Sequence, residues 1–132
     1  MIVGSSALLA TLFAEPDREA FARALASATA PRMSAVNHVE AAVRVDMGGD
    51  PSAGDAFNDL VREAGITVEP VTVEQAHLAR RAYRAYGRGS GSPARHNFGD
   101  CFAYALAKAK REPLLFRGDD FVHTDIEAAI LA

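Results

Sequence analysis

The fold is decided by one stretch of the chain, Asn97-Phe98-Gly99-Asp100-Cys101-Phe102-Ala103-Tyr104-Ala105-Leu106-Ala107-Lys108. Apolar residues recur along it at helical spacing, which predicts a helix with one apolar stripe facing a core. The stripe comprises Phe98, Cys101, Phe102, Ala105, Leu106 and Ala109. Asn97 is suited to the N-cap of this helix, and Asp100 falls in its first turn. The Asp100 carboxylate therefore either completes a capping box with Asn97 or points from the helix start towards a metal ion or substrate.

Outward from this helix, short apolar runs alternate with amphipathic segments. Residues 1–3, 66–68 and 114–116 predict short strands, the first of them buried, and helices are predicted between them. This alternation predicts an α/β fold in three α/β/α layers, with a short parallel sheet covered on both faces. No internal repeat or change of composition divides residues 1–132, so we expect a single domain. The mostly apolar tail at 126–131 is expected to pack at an edge or a partner surface.

The composition is that of an ordinary globular protein. Of the 132 residues, 49% are hydrophobic and 23% charged, which argues against disorder. No apolar run approaches the length of a membrane helix, and the first residues lack the basic-then-apolar pattern of a signal peptide. The single cysteine, Cys101, lies on the predicted stripe and is interpreted as a core thiol in a reducing cytoplasm rather than a nucleophile. We therefore expect a cytoplasmic protein without membrane contact.

Charge is distributed unevenly along the chain. The net charge is −3, but residues 75–117 carry nine basic and two acidic side chains. Arginine binds phosphate through two parallel hydrogen bonds, so this basic segment favours a polyanionic ligand. The alternative is that these side chains only solvate helix faces.

Glu40 interrupts an apolar pattern. Ser34 is suited to cap a helix, and the apolar stripe of that helix consists of Val36, Val39, Val43 and Met47. Glu40 lies four residues after Val36 and three before Val43, so the pattern places it on the core side. Burying an unpaired charge is very costly, so Glu40 must be paired or hold a cation. We therefore predict a functional role for Glu40.

The candidate site residues lie where a predicted strand ends or a helix begins. In an open α/β sheet, ligands bind at the carboxyl ends of the strands, so Glu40, Asp100 and either Asp119 or Asp120 are expected to converge there. Several carboxylates in one cleft repel each other unless a divalent cation neutralises them. Ligands that are all oxygen favour Mg²⁺ or Mn²⁺ over zinc.

Some of these positions have simpler interpretations. The Gly118-Asp119 pair is typical of a turn, and Ser6 can cap the first helix. The Ser6 hydroxyl can equally hydrogen-bond a metal-bound water or a phosphate at that helix N-terminus. The four histidines show no zinc-site spacing, so they are interpreted as surface or local hydrogen-bonding groups.

Four segments of the chain carry motifs. They are Met-Ile-Val-x-x-Ser-Ala-Leu-Leu-Ala at 1–10, Ser-x-x-x-x-x-Glu at 34–40, Asn-Phe-Gly-Asp-Cys-Phe-Ala-Tyr-Ala-Leu-Ala at 97–107 and Leu-Leu-Phe-Arg-Gly-Asp-Asp-Phe at 114–121. Together they resemble the PIN-domain toxins of the VapC type, over the whole chain and most specifically at 97–107. The resemblance implies a PIN-like fold and a Mg²⁺-dependent ribonuclease toxin that dimerises and is held inactive by a cognate antitoxin protein.

The resemblance also implies roles for individual residues. The matching positions are Glu40, Asp100 and Asp119 (or its neighbour Asp120) as acidic metal-site residues, with Ser6 and Asn97 as polar residues beside the metal. Glu40 or Asp119 is then expected to orient the attacking water or take its proton. Arginines between residues 80 and 95, chiefly Arg84, Arg88 and Arg95, are expected to hold the RNA backbone.

Gly4 departs from the family pattern. Family members carry at this position an aspartate that binds the metal, so the glycine removes one negative charge from the site. We therefore expect weaker metal affinity and weak or lost catalysis. An alternative function follows, a catalytically inactive PIN-fold protein that binds RNA or an antitoxin. A phosphoacceptor or phosphatase domain ranks last, because it needs an aspartate after the first strand and residues 4–6 supply none.

Overall fold

A computed structural model of the chain describes residues 1–130. Its strands are β1 (Ile2–Val3), β2 (Arg32–Ser34), β3 (Thr67–Glu69) and β4 (Leu114–Leu115). They form one sheet in the order β3-β2-β1-β4, and each neighbouring pair is parallel. The helices are α1 (Ser5–Leu12), α2 (Arg18–Ser27), α3 (Ala35–Asp46), α4 (Pro51–Glu63), α5 (Val73–Tyr86) and α6 (Phe98–Lys110). The predicted α/β fold with a short parallel sheet is confirmed.

The sheet separates two apolar cores. Consecutive residues of a strand point to opposite faces, so Ile2 and Leu114 enter one core while Val3 and Leu115 enter the other. The core around Val3 is covered by α1, α2, α3 and α4, and the core around Ile2 by α5 and α6. This is the predicted three-layer arrangement. Because the strands are parallel, the segments that follow them meet at one edge of the sheet.

The helix predicted from the opening stretch is α6, but its burial differs from the prediction. Its buried residues, Gly99, Cys101 and those at 103–107, occupy most of its circumference. Small alanines let α5 and the sheet approach α6 from different sides, so its burial does not follow a single stripe. Phe98 is 69% exposed, because it is the first helical residue and lines a surface groove beside α5. The assignment of Phe98 to the core was wrong.

The face that α3 buries is also different from the predicted one. Asn37, Ala41 and Val45 are buried, while the residues expected to be buried are largely outside. Val39, Val43 and Met47 are 58%, 52% and 81% exposed and form an apolar surface row that we call the α3 stripe. The small Ala41 and the polar Asn37 face the protein because α3 packs closely against α1 and α6. Apolar periodicity alone therefore selected the wrong face.

Two further segments complete the fold. Strand β2 (Arg32–Ser34) was not predicted from the sequence. Arg32 is accommodated by ion pairs to Glu69 at 3.1 Å and Glu112 at 3.5 Å. At the other end of the chain, Ala129 and Ile130 pack against the core around Val3, while Leu131 lies outside the described residues. Within residues 1–130, none of the helices combines the length and the hydropathy needed to cross a membrane.

Candidate active site

A cleft of about 490 Å³ lies where the segments following the strands meet. We call it the acidic cleft, because three carboxylates line it: Glu40 from α3, Asp100 from α6 and Asp120 from the segment after β4. Its other lining residues are Ser5, Ser6, Leu9, Val43, Arg44 and Asn97. The structure thus brings together acidic residues that are far apart in sequence, at the edge of the sheet where ligands bind in α/β folds.

Glu40 is held by two side chains and by contact with the main chain at Gly99. Ser5 Oγ donates a hydrogen bond to Glu40 Oε1 at 2.5 Å, and Asn37 Nδ2 approaches the same oxygen at 3.4 Å. The carboxylate lies directly over Gly99 in the first turn of α6. A Cβ on Gly99 would overlap Glu40 Oε2 and lie 2.6 Å from Cδ. Glycine is therefore required at position 99 for Glu40 to occupy this place.

Asn37 links α3 to α6 beneath the carboxylate. It is 1% exposed, and its Nδ2 donates to the main-chain oxygen of Gly99 at 2.9 Å. Sequence reasoning missed the contributions of Ser5, Asn37 and Gly99. One signal was available for Asn37, because it lies three residues before Glu40 and so shares its helix face.

Asp100 combines the two roles that the sequence left open. Its main-chain N–H donates to Asn97 Oδ1 at 2.8 Å, and its Oδ2 accepts from the Asn97 main-chain N–H at 2.9 Å, which completes a capping box. The same carboxylate lines the acidic cleft. The capping bond occupies one oxygen of Asp100, and the other oxygen has no donor among residues 1–130.

The negative charges of Asp120 and Glu40 disfavour ionisation of Asp100 in the acidic cleft. Burial, together with the neighbouring charges of Asp120 and Glu40, raises the pKa of Asp100 to about 6, against the lowering effects of the Asn97 bond and Arg88. Carboxylates that repel each other in this way are suited to a shared cation, which would replace repulsion by attraction.

Asp119 and Asp120 point to different places. Asp120 lines the acidic cleft, whereas Asp119 lines a separate cleft beside Asp17 and Phe116. The turn at Gly118, with φ of +99°, and the buried Phe121 fix this segment at its two ends, so neighbouring residues diverge. The structure brings Asp120, and not Asp119, together with Glu40 and Asp100.

The predicted polar and basic residues are distributed over several surfaces. Ser6 lines the acidic cleft, and its Oγ accepts from the Arg117 main-chain N–H at 2.9 Å, which ties α1 to the segment after β4. Arg88 lies close enough to Asp100 to lower its pKa. Arg84 lines the groove between α5 and α6, and Arg95 is exposed. Sequence reasoning did not select Arg44, which lines the acidic cleft.

The donor set fits a hard divalent cation, although no preassembled cage is present. Carboxylate and hydroxyl oxygens are the ligands that Mg²⁺ and Mn²⁺ prefer. Within the described part of the chain, no three His, Cys, Asp or Glu side chains already stand close enough to hold a metal ion. Gly4, directly before Ser5 and Ser6, contributes no side chain. A cation would therefore have to draw the carboxylates of the cleft inward.

Comparisons with known proteins agree with this fold and cleft. The sequence profile of the PIN domain matches residues 1–127. The chain belongs to the PIN-domain family, as the motifs indicated. Among its relatives, it is 50% identical to ribonuclease VapC28 of Mycobacterium tuberculosis over 130 residues, which cover 98% of each chain. It is 46% identical to ribonuclease VapC42 of the same organism over 129 residues, again 98% of each chain.

A solved structure supports the fold independently. The crystal structure of Mycobacterium tuberculosis VapC20, described as a toxin that cleaves the sarcin-ricin loop, matches with a TM-score of 0.73. The match covers 95% of both chains at 17% sequence identity. At that identity the similarity concerns the fold, while the relatives near 50% identity are VapC ribonucleases.

Proposed function

We propose that this protein is a metal-dependent endoribonuclease that cleaves RNA phosphodiester bonds in the cytoplasm, as the toxin of a toxin–antitoxin pair. The observation that carries the proposal is the convergence of Glu40, Asp100 and Asp120 in one cleft. The naming of the chain's relatives as VapC ribonucleases supports the reaction type. The raised pKa of Asp100 supports the need for a cation beside it.

The metal would be held by Asp100 and Asp120, with Glu40 beside them. Mg²⁺ or Mn²⁺ supplies a Lewis acid that acidifies water and stabilises charge on a phosphate. Asp100 contributes its oxygen that is free of the capping bond. Asp120 replaces Asp119 in the role predicted from sequence, because only Asp120 faces the cleft.

Glu40 is suited to orient the attacking water or take its proton. Its carboxylate is fixed by Ser5 and rests on Gly99, so its direction is set before substrate arrives. Fixed geometry of this kind favours a general base, because the reacting groups need no reorganisation. Arg44 at the cleft and Arg88 near Asp100 are placed to bind the phosphates on either side of the scissile bond. RNA binding is therefore expected to weaken as salt rises.

Exposed apolar surfaces support protein partners. The α3 stripe is one, and the groove of about 420 Å³ between α5 and α6, which includes Tyr83, Phe98 and Phe102, is another. Apolar surfaces of this kind are typical of interaction sites. We propose that they serve a homodimer and the antitoxin protein.

RNA cleavage by the purified protein tests the proposal. With Mn²⁺ added, an Asp100→Asn variant is expected to cleave RNA roughly a hundredfold more slowly than its parent, because a metal ligand is lost. The matched control is Asp55→Asn, an exposed aspartate on α4. Equal rates for Asp100→Asn and the parent would contradict the proposed site.

One observation favours a second candidate function. Gly4 offers no ligand, and the described carboxylates are not gathered into a cage, so the protein can instead be an inactive PIN-fold chain that binds RNA or an antitoxin. The variant Gly4→Asp separates the two functions. Gly4 has φ −81° and ψ 157°, which any residue adopts, but a Cβ there would lie 3.1 Å from Leu115 O, so the main chain there must move by a few tenths of an ångström to accept it. The aspartate can also cap α1, whose N-cap lacks a side-chain bond.

Gain of Mn²⁺-dependent cleavage in Gly4→Asp supports an impaired nuclease. If neither the parent nor Gly4→Asp cleaves RNA while both bind it, the binding function is the correct one. The size of the gain is expected to exceed roughly tenfold, because one charged ligand is added to a site that already holds others.

A further inference from the structure

His96 is a buried histidine to which the proposed function assigns no role. Its side chain is 0% exposed and lies among aromatic rings. The ring centroids of Phe121, Tyr86 and Tyr104 are 4.7, 5.7 and 6.3 Å away. A fully buried polar ring is costly unless it makes a specific hydrogen bond, so this placement calls for an explanation.

The ring makes one such bond, to the segment that carries Asp120. His96 Nε2 lies 2.8 Å from the main-chain oxygen of Asp120. A carbonyl oxygen can only accept, so Nε2 must carry the proton and donate. Nδ1 is buried and has no partner among the described residues.

The main chain of His96 is fixed as firmly as its ring. Its N–H donates to the oxygen of Tyr86 at 2.8 Å, and its oxygen accepts from the N–H of Arg88 at 3.0 Å. The next residue, Asn97, caps α6 and bonds to Asp100. One residue therefore connects the end of α5, the start of α6 and the segment after β4.

This connection acts against a repulsion in the acidic cleft. Asp120 and Asp100 both line this cleft, and two carboxylates of like charge in one cleft disfavour each other. Asp120 follows a turn at Gly118. The φ of Gly118 is +99°, a backbone conformation that suits glycine. A hydrogen bond to the Asp120 main chain keeps this residue near Asp100 without occupying its carboxylate.

We propose that His96 is a positioning residue, which holds Asp120 in the acidic cleft by donating from Nε2 to the Asp120 main-chain oxygen. The part that Asp120 plays in metal binding rests on the proposed function, whereas the link between His96 and Asp120 does not.

The first test uses the unaltered protein. Nitrogen NMR of the imidazole distinguishes the two neutral tautomers, and His96 is expected to carry its proton on Nε2. A proton on Nδ1 alone would overturn the proposal, because the carbonyl of Asp120 would then face no donor.

The second test compares His96→Leu with His96→Gln. Leucine fills the ring's space without a donor, whereas the terminal amide of glutamine can donate from a similar distance. In His96→Leu, amide hydrogen exchange over residues 117–122 is expected to become about tenfold faster, while exchange over 103–107 in α6 changes little. His96→Gln is expected to restore most of the protection. The matched control His123→Leu changes an exposed histidine of the same region and should leave exchange at the parent level.

The pattern of exchange decides between positioning and packing. Equal acceleration over 117–122 and 103–107 in His96→Leu would mean a packing role only and would overturn the proposal, as would unchanged exchange. Mn²⁺ titration of the same variants addresses the proposed function separately. Faster exchange with weaker Mn²⁺ binding supports both ideas, and faster exchange with unaltered Mn²⁺ binding supports the His96 link while contradicting a metal role for Asp120.

Discussion

Two walls of the acidic cleft present their carboxylates in opposite ways. On the α3 wall, the Glu40 carboxylate itself is bonded to Ser5 and pressed against Gly99, so the functional group is immobilised. On the wall formed after β4, His96 bonds to the main-chain oxygen of Asp120, so this anchor does not occupy the Asp120 carboxylate. A fixed carboxylate suits a base that must point at water, and a free one suits a ligand that must adjust to a cation. On the proposed function, the α3 wall would orient the attacking water and the wall after β4 would adapt to the cation.

The most damaging change to the α3 wall is expected at Gly99. In Gly99→Ala the new Cβ overlaps Glu40, so the carboxylate must leave its place or α3 must move away from α6. We expect a loss of about 1–3 kcal/mol in the free energy of unfolding, which is typical of overpacking, together with loss of RNA cleavage.

Gly54→Ala is the matched control for that substitution. Gly54 lies in α4, where a Cβ would come no closer than 3.4 Å to Asp46 Oδ1. Alanine is preferred over glycine in a helix by about 1 kcal/mol, so this variant should gain stability. Thermal unfolding of both variants measures the contrast, and a Gly99→Ala protein as stable and active as the parent would show that Glu40 is not confined.

The wall after β4 is tested by substituting the neighbouring residues Asp120 and Asp119 one at a time. Asp120→Asn is expected to weaken Mn²⁺ binding by about tenfold or more, since it removes a charged oxygen from the cleft. Asp119→Asn removes the same charge from the adjacent cleft and should have a much smaller effect. Calorimetric Mn²⁺ titration gives both affinities, and the reverse order of effects would return the role to Asp119.

The next prediction concerns the pH dependence of metal binding. Burial and the nearby acidic groups raise the pKa of Asp100 to about 6, so protons compete with the cation for this carboxylate below that pH. Mn²⁺ affinity is therefore expected to be level above about pH 7 and to fall by up to about tenfold per pH unit below about pH 6. The direction follows from the raised pKa, because acidification neutralises the ligand.

Substitutions on the two walls should lower the pKa of Asp100 by different amounts. Asp120 raises the pKa of Asp100 more than Glu40 does. Asp120→Asn is therefore expected to lower the pKa of Asp100 more than Glu40→Gln does. NMR titration of the Asp100 carboxyl carbon in the metal-free protein measures both shifts, and a larger shift in Glu40→Gln would contradict the assignment of Asp120 to the cleft.

Sequence reasoning found the residues whose role is local. The capping box between Asn97 and Asp100 follows from spacing within one turn, and the position of Asp100 at a helix start follows with it. It could not choose between Asp119 and Asp120, because that choice depends on how the Gly118 turn and the burial of Phe121 aim the intervening residues. Both are properties of tertiary packing.

The α3 helix shows where periodicity misleads. Its most apolar face carries Val39, Val43 and Met47, yet it buries Asn37, whose amide bonds to Gly99 across the interface. The polar Asn37 is buried here because the main-chain oxygen of Gly99 on α6 accepts its hydrogen bond. No pattern within α3 reveals that acceptor. Glu40 was predicted because its charge interrupts the apolar pattern of α3. In the structure it borders the acidic cleft rather than the core.

Val43 belongs to two surfaces at once, since it is a member of the α3 stripe and also lines the acidic cleft. On the proposed function, a protein bound along the stripe would form one side of the entrance through which RNA reaches the carboxylates. Val43 is thus shared by the surface proposed for partner binding and by the proposed entrance for RNA. The protein bound to α3 would therefore determine how wide that entrance is.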